Sequence, residues 1–371
     1  MPHSLRLAYL AHSLRSDWNN GNAHFLRGLM RSMVAMGHDV RIFEPCTAWS
    51  IEHLREEEQG ERALRRFTEL YPELRISTYT ATQSTDSSFW RSALTDCDIV
   101  ILHEWNPPAL AHALLELRNK LGFCLLFHDT HHRASSSPEQ IQLFGIDQFD
   151  GVVAFGEALR QIYENQFKIR RTWTLHEAAD ISIFRPHPYD RKLEDVVWIG
   201  NWGDDERARE IHEFLLKPAA ALRDRSFVVY GVRYPEDGLA ALRNAGVRYG
   251  GYLPNLNAPA EYGIARVSVH IPRQQYSSAM TGIPTIRVFE ALACGIPLIC
   301  SPWCDTEHLF EPGDFLIVKN GEEMKHAIEK LLRDKAAADA QALQGLETIL
   351  SRHTCAHRAE ELTYICEELL H

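Results

Sequence analysis

The sequence predicts an α/β protein made of two doubly wound units, each a parallel sheet with helices on both faces. Three observations carry this. Short apolar segments alternate with helix-forming stretches along nearly the whole chain. Several of those segments are continuously apolar, as strands covered on both faces are. And 371 residues are long for one core but comfortable for two.

Taken in order, the first series of strands is expected at Leu5–Leu10, Asp39–Glu44, Ile99–His103, Phe123–His128, Gly151–Ala154 and Arg171–Leu175. A second series is expected at Val196–Ile199, Phe227–Tyr230, Val247–Gly250, Val267–Ile271, Leu298–Cys300 and Phe315–Val318. Helices are expected between them at Ala23–Met36, Pro108–Lys120, Gly156–Gln166 and Glu206–Leu222. The segment Arg55–Arg66 is charge-dense at helical spacing and reads as a solvated face. Two prolines and mixed polarity make Ala178–Pro188 a connector. After Val318 the chain turns helical, with Ala327–Asp334, Ala336–Leu350 and a final helix Ala356–Leu370. The expected division is therefore 1–177, 178–345 and a terminal helix 346–371.

Composition narrows the function. A formal net charge of −11 argues against a nucleic-acid binder and against docking on anionic lipid by charge alone. Met1-Pro2-His3-Ser4 leads straight into the first strand, with no signal-peptide core, and no apolar run approaches the ~20 residues that span a bilayer. The eight scattered cysteines read as buried small hydrophobes in a reducing cytoplasm. Cys300 and Cys304 have no second pair of comparable spacing, so no zinc site is expected.

The most informative stretch is Thr285 to Cys300. It reads as a helix opening after Pro284 and closing at Gly295, then a short buried strand. Ile286, Phe289, Leu292 and Ala293 share one face; Arg287 and Glu290 share another. The unpaired first-turn amides and the helix dipole favour an anion, typically a phosphate.

Ligands of open α/β sheets bind beyond the carboxyl ends of strands. After the first strand comes the polar loop His12 to Asn22, in which Asn20 and Gly21 belong to a tight Asn-Asn-Gly-Asn turn facing substrate. Two further strands end in His103-Glu104-Trp105 and His128-Asp129-Thr130-His131-His132, groups that orient hydroxyls or move protons. The His128, Asp129, His131 and His132 crowd also invites a metal, yet no motif such as HExxH supports one. In the second half Gly200-Asn201 follows a strand, where glycine lets backbone approach a ligand. The order is not GxGxxG, so a dinucleotide site is not expected. Arg273 and Arg287 are the guanidinium forks best suited to a diphosphate.

The order of these motifs resembles a GT-B glycosyltransferase over nearly all of the chain. Asp180-Ile181-Ser182-Ile183-Phe184-Arg185-Pro186 resembles the family's linker, and Val197-Trp198-Ile199-Gly200-Asn201-Trp202 the strand that opens its donor domain. Arg287-Val288-Phe289-Glu290-Ala291-Leu292-Ala293-Cys294-Gly295-Ile296-Pro297 resembles its donor-binding signature, nearest in form to spore-maturation glycosyltransferases. The resemblance implies two Rossmann-like domains facing a cleft that closes about the connector, and a last helix returning to the first domain. It implies an acceptor site in the first domain, with His128, His131, Asn20 and Gly21 on that side. In the second it implies a nucleotide-diphosphate sugar, most naturally a UDP-sugar, gripped by Gly200, Asn201, Arg273, Arg287 and the amides of Thr285 and Ile286. Glu290 would hold the ribose. The family's other glutamate, eight residues earlier, is replaced by Gly282, which breaks the two-glutamate pattern.

The expected reaction moves a sugar to a hydroxyl acceptor, without cofactor or metal, in the cytoplasm. His103, Asp129 and Glu104 are the candidate bases if the reaction inverts. If it retains, the donor phosphate takes the proton. A nucleotide-sugar epimerase of the same architecture, or a non-catalytic nucleotide-sugar or glycan binder, are the competing readings.

Overall fold

The structure is a computed structural model describing residues 4–187, 189, 191–203 and 205–371, with residues 205 and 206 described by backbone alone. Pro188, the end of the expected connector, and Met1–His3 lie outside the described residues.

Seven strands, β1 (Arg6–Leu10), β2 (Asp39–Pro45), β3 (Ile76–Tyr79), β4 (Ile99–His103), β5 (Cys124–Asp129), β6 (Gly151–Ala154) and β7 (Thr172–Thr174), form one sheet. Its order is β3-β2-β1-β4-β5-β6-β7, parallel throughout. Six more, β8 (Glu194–Ile199), β9 (Phe227–Tyr230), β10 (Val247–Tyr249), β11 (Ala265–His270), β12 (Leu298–Cys300) and β13 (Leu316–Ile317), form a second parallel sheet. Its order is β10-β9-β8-β11-β12-β13. Strand order reverses between β1 and β4 in one sheet and between β8 and β11 in the other. Those reversals open the crevices where such sheets hold ligands.

The two sheets anchor two compact units: residues to Glu177 with Cys355–His371, and Ala178–Thr354. In the first, Leu7 to Leu10, Ile99 to Leu102 and Leu125 to Phe127 are fully buried, as continuous apolar strands must be. In the second, Val196, Trp198, Val229, Val267 and Ile299 are core residues packed with Phe214, Leu242 and Met324.

The helix Cys355–Leu370 belongs to the first unit and packs on Ala23–Ala35. His38 Nε2 lies 3.1 Å from Thr363 Oγ1, and Thr363 Oγ1 lies 3.7 Å from Met33 Sδ. The expected division at 346 falls inside one unbroken helix, Lys335–Arg352, that belongs wholly to the second unit.

Other differences have physical causes. β3 went unpredicted because it is an edge strand whose Ser77 and Thr78 are exposed, which leaves no apolar run. The charge-dense stretch Arg55–Arg66 spans two helices, Trp49–Glu56 and Gly60–Leu70. They meet so closely that a Cβ on Gly60 would lie 1.8 Å from Leu54 O. The helix expected from Ala327 starts at Gly321, because Asn320 Oδ1 caps Glu323 N at 2.9 Å. Among the described residues no helix is long and apolar enough to cross a membrane.

Candidate functional site

In the second unit the helix Ile286–Ala293 opens directly after Thr285, its N-cap, and closes at Cys294. Gly295 follows at φ +64°, the left-handed turn expected of it. Pro284 precedes the cap rather than sitting in the first turn. Thr285 does not cap with its side chain; its hydroxyl lies 2.8 Å from His270 Nε2 instead. The amides of Thr285 and Ile286 therefore stay at the open end of the helix. Most of the helix is buried, Glu290 completely, and Arg287 is half-buried.

Glu290 is fully engaged. Its Oε2 lies 2.5 Å from Arg287 Nη1, and its Oε1 accepts from Asn255 Nδ2 at 2.7 Å. Arg287 thus reaches one turn along its own helix to the carboxylate.

A third guanidinium, unforeseen from sequence, completes the group. Arg207 lies in the helix Asp205–Ile211, just beyond the exit of β8. Its Nη1 donates to Asn201 O at 3.1 Å, and its Nε is buried with no partner. Burial first, then the charges of Arg273 and Arg287, push its pKa down to about 10. His270 is likewise pushed down to about 3, by burial and by Arg207 and Arg287. Among the described residues the side chain of Arg273 has no ion-pair partner. Arg207, Arg273 and Arg287 are like charges close enough to act on one another, and among the described residues the first two meet no carboxylate, so the group repels itself. The π-helical turn Gln275–Ala279 follows Arg273 immediately. Sequence reading stopped at the residues directly after each strand and so missed Arg207, one turn further on.

Gly200 and Asn201 also hold their own loops. A Cβ on Gly200 would meet the Trp198 ring at 2.6 Å, and one on Gly231 would meet Gly200 O at 2.2 Å. Asn201 Oδ1 accepts from Val232 N at 2.9 Å. Gly282 has φ +99°, and a Cβ there would lie 2.1 Å from Thr306 Oγ1. The backbone disfavours glutamate at that position.

In the first unit β4 and β5 end side by side, with His103 paired to His128 in register. His103, Glu104, His128, Asp129 and Thr130 are all buried. Asn22 Nδ2 donates to Thr130 Oγ1 at 2.7 Å, and Thr130 donates onward to Glu104 Oε1 at 3.4 Å. His103 Nε2 lies 3.0 Å from the same hydroxyl. Nδ1 of His103 is buried and without a partner. Glu104 Oε2 lies 2.9 Å from the Nε2 edge of the ring. Burial pushes His103 down to about 3 and Glu104 up to about 8. Asp129, which accepts from Tyr163 Oη at 2.5 Å and from His131 N at 2.9 Å, is also raised to about 8, by burial and then by Glu104.

Asn22 opens the helix without a side-chain cap, because its amide serves Thr130. Asn20 Nδ2 donates to Ser13 O at 3.0 Å, and Gly21 sits beside it, half-buried. His12, absent from the sequence-derived candidates, joins this group: it is 6% exposed and pushed down to about 4 by burial and by His103.

His128, Asp129 and His132, weighed as metal ligands, each face a different partner. His128 Nδ1 faces Tyr9 Oη at 2.8 Å, Asp129 faces Tyr163, and His132 Nδ1 faces Ser136 Oγ at 2.9 Å. Among the described residues no group of three or more His, Cys, Asp or Glu is placed to hold a metal ion.

Residues 19–182 match the family model described as Glycosyltransferase Family 4, and residues 207–363 the one described as Glycosyl transferase-like. No curated protein matches the sequence. Among solved structures, the chain is similar to a glycosyltransferase from Rickettsia africae, at 11% identity over 99% of both chains, with a TM-score of 0.67. It is similar to Anabaena HepE in complex with UDP and glucose, at 11% identity over 98% of this chain and 100% of that one, TM-score 0.70. Sucrose-phosphate synthase from Thermosynechococcus elongatus aligns at 15% identity over 98% and 99%, TM-score 0.63. At these identities the likeness is one of fold.

Proposed function

Because the chain belongs to the GT-B glycosyltransferases, we propose that it moves a sugar from a nucleotide-diphosphate sugar, a UDP-sugar, to an acceptor hydroxyl without a metal ion. The observation that carries this is the group Arg207, Arg273 and Arg287 at the start of Ile286–Ala293, two of the three with no carboxylate partner. A diphosphate is the anion such a group fits, and three cations with helix amides supply the charge a metal supplies elsewhere. The choice of UDP rests on fold neighbours such as HepE, whose structure holds UDP.

In the step itself the acceptor oxygen bonds to the anomeric carbon as the bond from that carbon to the phosphate oxygen breaks. The electron pair leaves on the nucleoside diphosphate, and the three arginines stabilise its added charge. Glu290, fixed by Arg287 and Asn255, presents its carboxylate to the ribose hydroxyls. The acceptor proton passes to His103 Nδ1 in an inverting reaction, with Glu104 and Asp129 as positioning carboxyls, or to the departing phosphate in a retaining one. His128, His131, Asn20 and Gly21 contribute to the acceptor side.

Calorimetry with UDP and with GDP tests the reading. Micromolar UDP binding that survives EDTA and falls in Arg207→Ala and Arg273→Ala supports it. Nucleotide binding unchanged in both variants would sink it.

A further inference from the structure

The loop leaving β1 and the helix Trp49–Glu56 form an aromatic group that the phosphate chemistry leaves unused. Trp18 and Trp49 lie 5.9 Å apart with their planes at 80°. His12 stacks on Trp49 at 5.1 Å, and His53 stacks on Trp18 at 4.4 Å. The arrangement is held before any ligand arrives. Trp18 Nε1 donates to Glu57 Oε1 at 2.8 Å, Ser16 Oγ to Ser50 O at 2.7 Å, and Ser50 Oγ to Trp18 O at 2.9 Å. Leu14 N donates to Glu44 Oε2 at 2.8 Å. Both indoles nevertheless remain half-buried rather than sealed. Rigid, partly exposed tryptophans are a recognition surface more than a packing solution.

We propose that this corner seats an uncharged sugar ring of the acceptor, its C–H face against Trp49 or Trp18 and one hydroxyl at His12 Nε2. The proposal deepens the glycosyltransferase reading and rests on it. His12 Nε2 is buried without a partner, and the neutral imidazole can donate to or accept from a hydroxyl. An anionic acceptor would compete here with carboxylates already in place. Arg15 is occupied by Glu44, and the buried Arg27 by Asp17 and by the carbonyl of Arg15. Glu57, bonded to Trp18 Nε1, adds negative charge beside the rings, which disfavours phosphate or carboxylate groups.

Saturation-transfer NMR on the full chain tests this, using the methyl glycosides of glucose, galactose, mannose and N-acetylglucosamine, with methyl glucuronide as the anionic probe. At least one neutral glycoside should receive saturation on its ring C–H protons. Trp49→Ala and, as a second variant, Trp18→Leu should weaken that transfer about five- to ten-fold, with UDP affinity unchanged in the same samples. No transfer to any neutral glycoside, transfer undiminished in both variants, or preferential transfer to the glucuronide would overturn the proposal. Tryptophan-dependent sugar binding in a protein that ignores UDP would support this corner while sinking the donor assignment.

Discussion

Arg287 and Glu290 pair along one helix face, Nη1 to Oε2 at 2.5 Å, and Asn255 takes the remaining carboxylate oxygen at 2.7 Å. The pair therefore links the phosphate-facing and ribose-facing ends of the proposed donor site. Glu290→Ala should strand the Asn255 amide and leave Arg287 without this carboxylate, lowering stability by about 1–3 kcal/mol. UDP binding should weaken as well, because Arg287 loses its orientation. Glu290→Gln keeps an acceptor for Asn255 and should recover most of the stability but not the binding. Urea unfolding and calorimetry on both variants separate the two effects; equal UDP affinity in all three proteins would remove Glu290 from the site.

Arg273→Ala should act in opposite directions on the empty and liganded protein. Arg273 and Arg287 both push the pKa of Arg207 down, so they repel it when no anion is bound. Removing Arg273 should leave the melting temperature of the empty protein unchanged or slightly higher. The gain on adding UDP should shrink, with affinity reduced about ten- to hundred-fold. A melting temperature that falls in the empty variant, with the UDP gain intact, would assign Arg273 a structural role.

Much of this was legible in the sequence, and the gaps are specific. Buried parallel strands write themselves as continuous apolar runs, so β4, at Ile99–His103, was placed to the residue. The helix Ile286–Ala293 is readable from its flanking residues, Pro284 before and Gly295 after. Asn320-Gly321-Glu322-Glu323 carries a capping signal that places the start of the following helix at Gly321, six residues before Ala327. Arg207 was not legible, because its role depends on Arg273 and Arg287, 66 and 80 residues away (273 − 207 and 287 − 207). The chain of contacts Asn22–Thr130–His103 joins three elements, which no local pattern encodes. Asn22 read as a cap because asparagine usually is one there; only tertiary contact redirected its amide.

Gly282→Glu restores the residue at the position the family usually gives to a second glutamate, and it should fail to raise activity. The position has φ +99°, where any side chain is strained, and its Cβ would collide with Thr306 Oγ1 at 2.1 Å. Gly282→Ala alone should cost about 1–3 kcal/mol of stability, and Thr306→Gly should relieve part of it. Chemical denaturation of the single and double variants measures the coupling. A Gly282→Ala protein as stable as the parent would show that the loop relaxes freely.

The buried carboxyls should make stability and activity respond to pH in opposite senses. Glu104 moves from an ordinary 4.5 to about 8, and Asp129 from 3.8 to about 8. Folded protein therefore keeps protons that the unfolded chain has released, so the stability tied to them is present at low pH and lost as pH rises through 8. His12, His103 and His270, pushed down from 6.5 to about 4, 3 and 3, act the other way: they lose stability as pH falls below 6.5. The window from 6.5 to 8 isolates the carboxyls, whose combined effect is at most about 1.4 kcal/mol per pH unit for each proton held. Unfolding free energy should fall across that window, and Glu104→Gln should flatten the fall. Ionised Glu104, 2.9 Å from the Nε2 edge of His103, makes Nδ1 a stronger base. Transfer rate should then rise towards pH 8 while stability declines, and Glu104→Gln should lose that rise. A rate independent of pH over this window in the parent protein would argue for proton transfer to the departing phosphate and leave His103 a positioning residue.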